Sequence, residues 1–141
     1  MSHLTHVAAP EGVPAGRGYS HVVWGEGRFV AVSGQIAVDE RGGIVGPDDP
    51  EAQARQVFAN LDRCLAAAGA GWGDVVKLTF FVTDTAFLPA VREARDAYVD
   101  TSRPPASSAV QVAALIRPEL LVEVEAFAIV PVLPTTAAAG S

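Results

Sequence analysis

The hydrophobic positions of this chain change period several times, and each change predicts an element. Residues 4–8 are a short apolar run stopped by Pro10, Gly12 and Pro14, the pattern of an edge strand. Residues 19–24 and 28–33 are rich in aromatic and β-branched side chains, and Gly25-Glu26-Gly27 between them is a hairpin signal. Residues 36–38 and 44–45 flank a second turn, Asp39-Glu40-Arg41-Gly42-Gly43. The period then lengthens. Pro47-Asp48-Asp49-Pro50 opens a helix, with Asp49 as its cap and Pro50 in its first turn. Val57, Leu61, Cys64, Leu65 and Ala68 fall on one helical stripe, and Gly69 ends it in a left-handed cap. Residues 75–83 return to strand alternation, with Val76, Leu78, Phe80 and Val82 on one face. Asp84 caps a second helix whose inner side carries Leu88, Val91, Arg95 and Tyr98. Pro89 is tolerated there because it lies in the first turn. Arg103-Pro104-Pro105 stops this helix, and strands follow over residues 108–114 and 121–132.

The order is β-β-β-α-β-α-β-β, an α+β chain. The economical architecture is one mixed sheet with both helices packed on one face. The other sheet face then has no helix to cover it, and a second copy of the chain is the simplest cover, which predicts a closed homo-oligomer. Residues 1–132 read as a single domain, and residues 133–141 as a small, polar, disordered tail.

The last strand carries the strongest anomaly. Glu123 and Glu125 sit two apart in a run otherwise made of Leu, Val, Ala, Phe and Ile, so both project from one face. A carboxylate in such a run costs free energy unless it finds a partner. A cation, a donor network, another subunit or a ligand should stand opposite.

Composition narrows the partners. Half of the 141 residues are hydrophobic and only 18% are charged, so surplus apolar surface is available for an interface. The net charge of −6 and the scattered Lys and Arg argue against a nucleic-acid backbone as partner. A single cysteine, Cys64, leaves no disulfide framework. No run reaches the roughly 18 uncharged apolar residues of a membrane span. The first residues lack the basic-then-apolar pattern of a signal peptide. A cytoplasmic location without membrane contact is therefore expected.

Other candidate chemistry is weak. His3, His6 and His21 lack metal-ligand spacing apart from His3-x-x-His6, and no metal site is expected. Cys64, on a helix's inner stripe, reads as a small core residue rather than a nucleophile. Ser107 and Ser108 read as strand-start hydroxyls. Arg17, between Gly16 and Gly18, and Arg117, before Pro118, are loop cations: solvated, or able to hold a carboxylate ligand by two hydrogen bonds.

Several segments together resemble one family. Gly18-Tyr19-Ser20-His21-Val22-Val23 resembles the G-P-Y-S-Q/H-A-V motif of the YjgF/RidA (reactive intermediate deaminase) family. Phe29-Val30-Ala31-Val32-Ser33-Gly34-Gln35-Ile36 is similar to its strand ending in S-G-Q-I. Gln56-Val57-Phe58-Ala59-Asn60-Leu61 matches its Q-x-x-x-N-L/I helix, and Asp74-Val75-Val76-Lys77 its D-V-V-K. Pro104-Pro105-Ala106 through Leu115, then Val122-Glu123-Val124-Glu125-Ala126, resemble its C-terminal signature. The likeness spans residues 18–130.

The resemblance implies a chorismate-mutase-like subunit in a homotrimer, with a central β-barrel, helices outside and clefts between subunits. The family's deaminases hydrolyse imines or enamines to 2-keto acids and ammonia without a metal or organic cofactor. By that likeness Glu123 positions the water, with Glu125 as the alternative because the loop before this strand is slightly long. Tyr19 and Gly34 help line the pocket, and Ser33, Gly34 and Ser108 are substrate-binding candidates. The family's P-P-A-R motif grips the substrate carboxylate with its arginine, but this chain has Ser107 at that place. A hydroxyl does not replace a guanidinium fork. Either the substrate has no carboxylate, or Arg17 or Arg117 holds it. Two functions remain: a hydrolase-type catalyst of a small imine, enamine or related carbonyl-type metabolite, using Glu123, Tyr19 and Ser107, or a trimer that binds a small metabolite without chemistry. Ribonuclease activity, attached by name to some members, fits the acidic charge poorly.

Overall fold

The computed structural model describes residues 3–133, so the tail expected over residues 133–141 lies almost wholly outside the described residues. The strands are β1 (Thr5–Val7), β2 (Val22–Trp24), β3 (Arg28–Ile36), β4 (Val75–Val82), β5 (Ala106–Gln111) and β6 (Val122–Val130). The helices are α1 (Pro50–Ala67) and α2 (Leu88–Asp96). Their order is the expected β-β-β-α-β-α-β-β.

A four-stranded mixed sheet runs β3-β6-β4-β5. β4 and β5 are parallel, joined through α2, and the other two pairings are antiparallel. The expected hairpin through Gly25-Glu26-Gly27 is not formed. β2 instead pairs with β1 in a separate ribbon, Val22 opposite Val7, while β3 pairs with β6. Gly27 has φ of 149°, and a Cβ there would sit 2.2 Å from the Val130 carbonyl. The glycine thus lets the chain turn from the ribbon onto the end of β6 rather than back along β2.

Alternation decides which sheet face is covered. Val122, Val124, Ala126 and Ala128 of β6, with Leu78 and Phe80 of β4, pack against Val57, Phe58, Leu61 and Leu65 of α1 and Val91 of α2. In β4 the buried residue at the start is Val75 rather than the expected Val76, because a bulge between Val75 and Lys77 shifts the alternation. Glu123, Glu125, Phe127 and Ile129 take the opposite face. Phe29, 63% exposed, packs its ring 5.5 Å from Phe127 on that side.

Polar side chains lock the helices to the loops that frame the site. Asp49 caps α1, accepting from the Ala52 N–H at 3.1 Å. Gln53 is fully buried, donates to the Gly46 and Glu119 carbonyls and accepts from the Leu121 N–H. Asn60 donates to the carbonyls of Ile36 and Val38. The second expected turn forms, with Val38 bridged to Ile44. Asp84 caps a 3₁₀ turn, Thr85–Phe87, and α2 begins only at Leu88.

Candidate functional site

Glu123 is held by shape rather than by a partner. Between Val32 and Gln35 the β3–β6 register shifts, so Ser33 and Gly34 bulge opposite Glu125. The Glu123 side chain lies across the Gly34 backbone: a Cβ at Gly34 would meet Glu123 Oε2 at 2.0 Å. Any other residue there would push the carboxylate away. Among the described residues Glu123 has no hydrogen bond or ion pair, so its oxygens are free for water or a ligand. Burial, and then the charge of Glu125 on the same face, raise its pKa above the ordinary glutamate value. Ser33 is exposed, and its carbonyl accepts from Gln35 Nε2.

The second group of expected residues meets elsewhere. A pocket of about 350 Å³ lies between β5, α2 and the loop before β2, and Arg17, Tyr19, Ser107 and Ser108 all line it. The loop is built around two glycines. The Tyr19 ring occupies the space a Gly16 side chain would need. Gly18, at φ 76°, turns its carbonyl to Arg95 Nη1 at 2.6 Å. Buried Ser20 then ties the loop to the start of β5, donating to the Pro104 carbonyl at 2.7 Å.

These two groups stand on opposite faces of the sheet. Ser107 pairs with Leu78, which is buried beneath the helices, whereas Glu123 pairs with Phe81 on the open face. Strand alternation therefore sends the two side chains apart. Ser108 follows the open face, accepting from Lys77 Nζ at 2.9 Å, and reaches the pocket because β5 is the edge strand.

Arg117 lies outside this pocket, 4.0 Å from Glu119 with both half-exposed. Cys64 is half-buried against the core. His3 and His6 face different partners, the Ile129 carbonyl and Arg103.

Two pocket residues escaped sequence reasoning. Arg95 is expected on the inner stripe of α2, yet its charge is buried and accounted for by Asp96, at 2.7 Å, and by the Gly18 carbonyl. Arg92 was not singled out. The signal was available: Leu88, Val91, Arg92 and Arg95 follow i, i+3, i+4, i+7 spacing, so an arginine at 92 shares their side of the helix.

Comparison with known proteins adds the following. The family model described as Endoribonuclease L-PSP matches residues 10–130. A RutC family protein of Synechocystis is 40% identical over 104 residues, 73% of this chain and 79% of that protein. A Salmonella typhimurium protein named 2-iminobutanoate/2-iminopropanoate deaminase is 39% identical over 105 residues, 73% of this chain and 80% of that protein. The crystal structure of YyfB from Yersinia pestis, described as a conserved Rid family protein of unknown function, superposes with a TM-score of 0.80 at 38% identity. That match covers 91% of this chain and 99% of the other. No helix among the described residues is long and apolar enough to cross a membrane.

Proposed function

The chain belongs to the endoribonuclease L-PSP family, the YjgF/RidA group, and from that premise we propose that it is a cytoplasmic, cofactor-free hydrolase-type catalyst of a small imine, enamine or related carbonyl-type metabolite. Its active form is a homotrimer, with the reaction in a cleft between subunits. Glu123 of one copy faces Tyr19 and Ser107 of the next. Support for this arrangement is the separation of the two groups within one chain, together with an open sheet face carrying Phe29, Phe81, Phe127 and Val110.

The observation that carries the proposal is Glu123 itself: a partly buried carboxylate with raised proton affinity, seated on Gly34 and without a hydrogen bond or ion pair among the described residues. A carboxylate of that kind suits general acid/base work. Water adds to the imine carbon as Glu123 takes its proton. The nitrogen then receives that proton, and the hydroxyl proton of the resulting amino alcohol passes to the nitrogen as the C–N bond breaks, releasing ammonia and leaving the carbonyl product. Tyr19 and Ser107 donate hydrogen bonds to the substrate, and the backbone beside Gly34 and Ser107 steadies the developing charge. Similarity to a protein named an imine deaminase supports the reaction class, while Ser107 in place of the arginine sets this chain apart from 2-aminoacrylate-type deamination of the standard kind.

Because of that serine a second function stands beside the first: a trimer that holds a small metabolite without turning it over. One assay separates them. With 2-iminopropanoate generated enzymatically in the cuvette, the wild type should remove it faster than buffer, and Glu123→Ala should fall to the buffer rate. Removal no faster than buffer by the wild type, with retained binding, would leave the binding function.

A further inference from the structure

We propose that Arg92, with Arg17 beside it, recognises the carboxylate of the ligand in place of the guanidinium that Ser107 lacks. The ligand is then a small carboxylate on a short apolar chain. This builds on the proposed use of the cleft as a small-molecule site.

Charge is the first ground. The chain has 16 acidic residues against 10 Lys and Arg, yet Arg17, Arg92 and Arg95 line this pocket and, among the described residues, no Asp or Glu does. Of these three, Arg95 alone has an ion pair among the described residues. Its Nε and Nη2 both donate to Asp96 Oδ1, at 2.9 and 2.7 Å, and its Nη1 holds the Gly18 carbonyl. Asp96 is also the residue four places beyond Arg92, the position from which a carboxylate ordinarily neutralises a helix cation. Arg95 has taken that carboxylate.

Arg92 is left exposed, without a hydrogen bond or ion pair among the described residues, and so is Arg17. The backbone on either side of Arg17 is nonetheless held, because the next residue's carbonyl is gripped by buried Arg95 and Tyr19 packs over the preceding glycine. The pocket therefore holds two uncommitted guanidinium forks on anchored supports, a geometry that takes a carboxylate with paired hydrogen bonds.

Shape is the second ground. Phe80, Leu88 and Val91 form an apolar wall beneath these cations, and Tyr19 and Ser107 add hydroxyls. The volume of about 350 Å³ is at the lower end of the roughly 300–1,000 Å³ of small-molecule sites. A carboxylate on a short carbon chain satisfies both the forks and the wall. Inorganic phosphate satisfies only the forks.

Isothermal titration tests this on the full chain, with pyruvate and 2-oxobutanoate as probes, pyruvamide as the uncharged counterpart, and inorganic phosphate as competitor. The wild type should bind 2-oxobutanoate at least about tenfold more tightly than pyruvamide. Arg92→Ala should weaken the 2-oxo acids by about 10- to 100-fold, the worth of a charge-assisted contact. It should leave pyruvamide binding and the melting temperature unchanged, since Arg92 has no hydrogen bond or ion pair among the described residues. Arg92→Lys should recover part of the loss. Equal binding of acid and amide, no measurable 2-oxo acid binding, an unaltered Arg92→Ala, or displacement by phosphate as effective as by 2-oxobutanoate would each overturn the assignment. Hydrolysis is judged separately. Binding that behaves as stated with no imine consumed keeps Arg92 in this role and removes the hydrolase. Imine consumption with an Arg92→Ala KM equal to wild type does the reverse.

Discussion

Glu123 is a carboxylate that the fold makes hard to ionise and leaves reachable. Both of its perturbations, burial first and the Glu125 charge second, favour the protonated form. As a base it must be ionised, so the acidic limb of the pH–rate profile should lie above the roughly 4.3 of an ordinary glutamate. Stability follows the same sign. A folded-state pKa above the unfolded one means that the neutral carboxyl's advantage is full below the unfolded pKa. It is lost as pH rises through the folded value. Glu123→Gln should therefore melt no lower than wild type at neutral pH, with any gap closing towards about pH 4, while losing turnover. Gly34→Ala separates site from fold. The atom it strikes is the far end of a flexible side chain, so stability should change by less than about 1 kcal/mol while activity is lost as the carboxylate is displaced. The cost of Glu123 was legible in the sequence, because two carboxylates in an apolar run announce themselves. Its seat on Gly34 was not, because that contact joins different strands across a bulge. Arg92 was missed for a different reason: an exposed helix arginine looks solvated until the pocket it lines is known.

At the scale of elements, local signals were reliable where the chain closes on itself and failed where a choice of partner decided. Asp49 and Pro50 start α1 as their chemistry requires, and Gly69, at φ 71°, follows its end. The hairpin failed because glycine marks a reversal without saying which strand receives the chain, and β6 offered β3 a longer apolar pairing than β2 could. Gln53 joins the start of α1 to the loop that delivers β6. Gln53→Ala would remove a fully buried amide and take the side-chain partner from the Glu119 carbonyl and the Leu121 N–H, while the Gly46 carbonyl keeps the Asp49 N–H; it should cost about 1–3 kcal/mol in urea unfolding with an unchanged m-value. Asn60 does the same for the turn after Gly34, which gives the Q-x-x-x-N motif a structural purpose rather than a catalytic one.

At the scale of the whole molecule, the sheet has one face closed by helices and another that combines Phe29, Phe127 and Ile129 with two carboxylates. The uncovered face was foreseeable from two helices and one sheet. That it separates Glu123 from Ser107 was not, since it depends on the β4–β5 and β4–β6 registers. The proposed site thus needs two copies, each lending what the other's cleft lacks. Co-expression of two differently tagged chains, Glu123→Gln and the pocket-filling Ser107→Trp, followed by isolation of the mixed oligomer and assay with 2-iminopropanoate, measures this directly. Each variant alone should be inactive. The isolated mixed trimer should show about a third of the wild-type rate, because in either mixed composition one of its three clefts joins an intact Glu123 to an intact pocket. A mixed oligomer as inactive as its parents, or chains that remain monomeric, would contradict it.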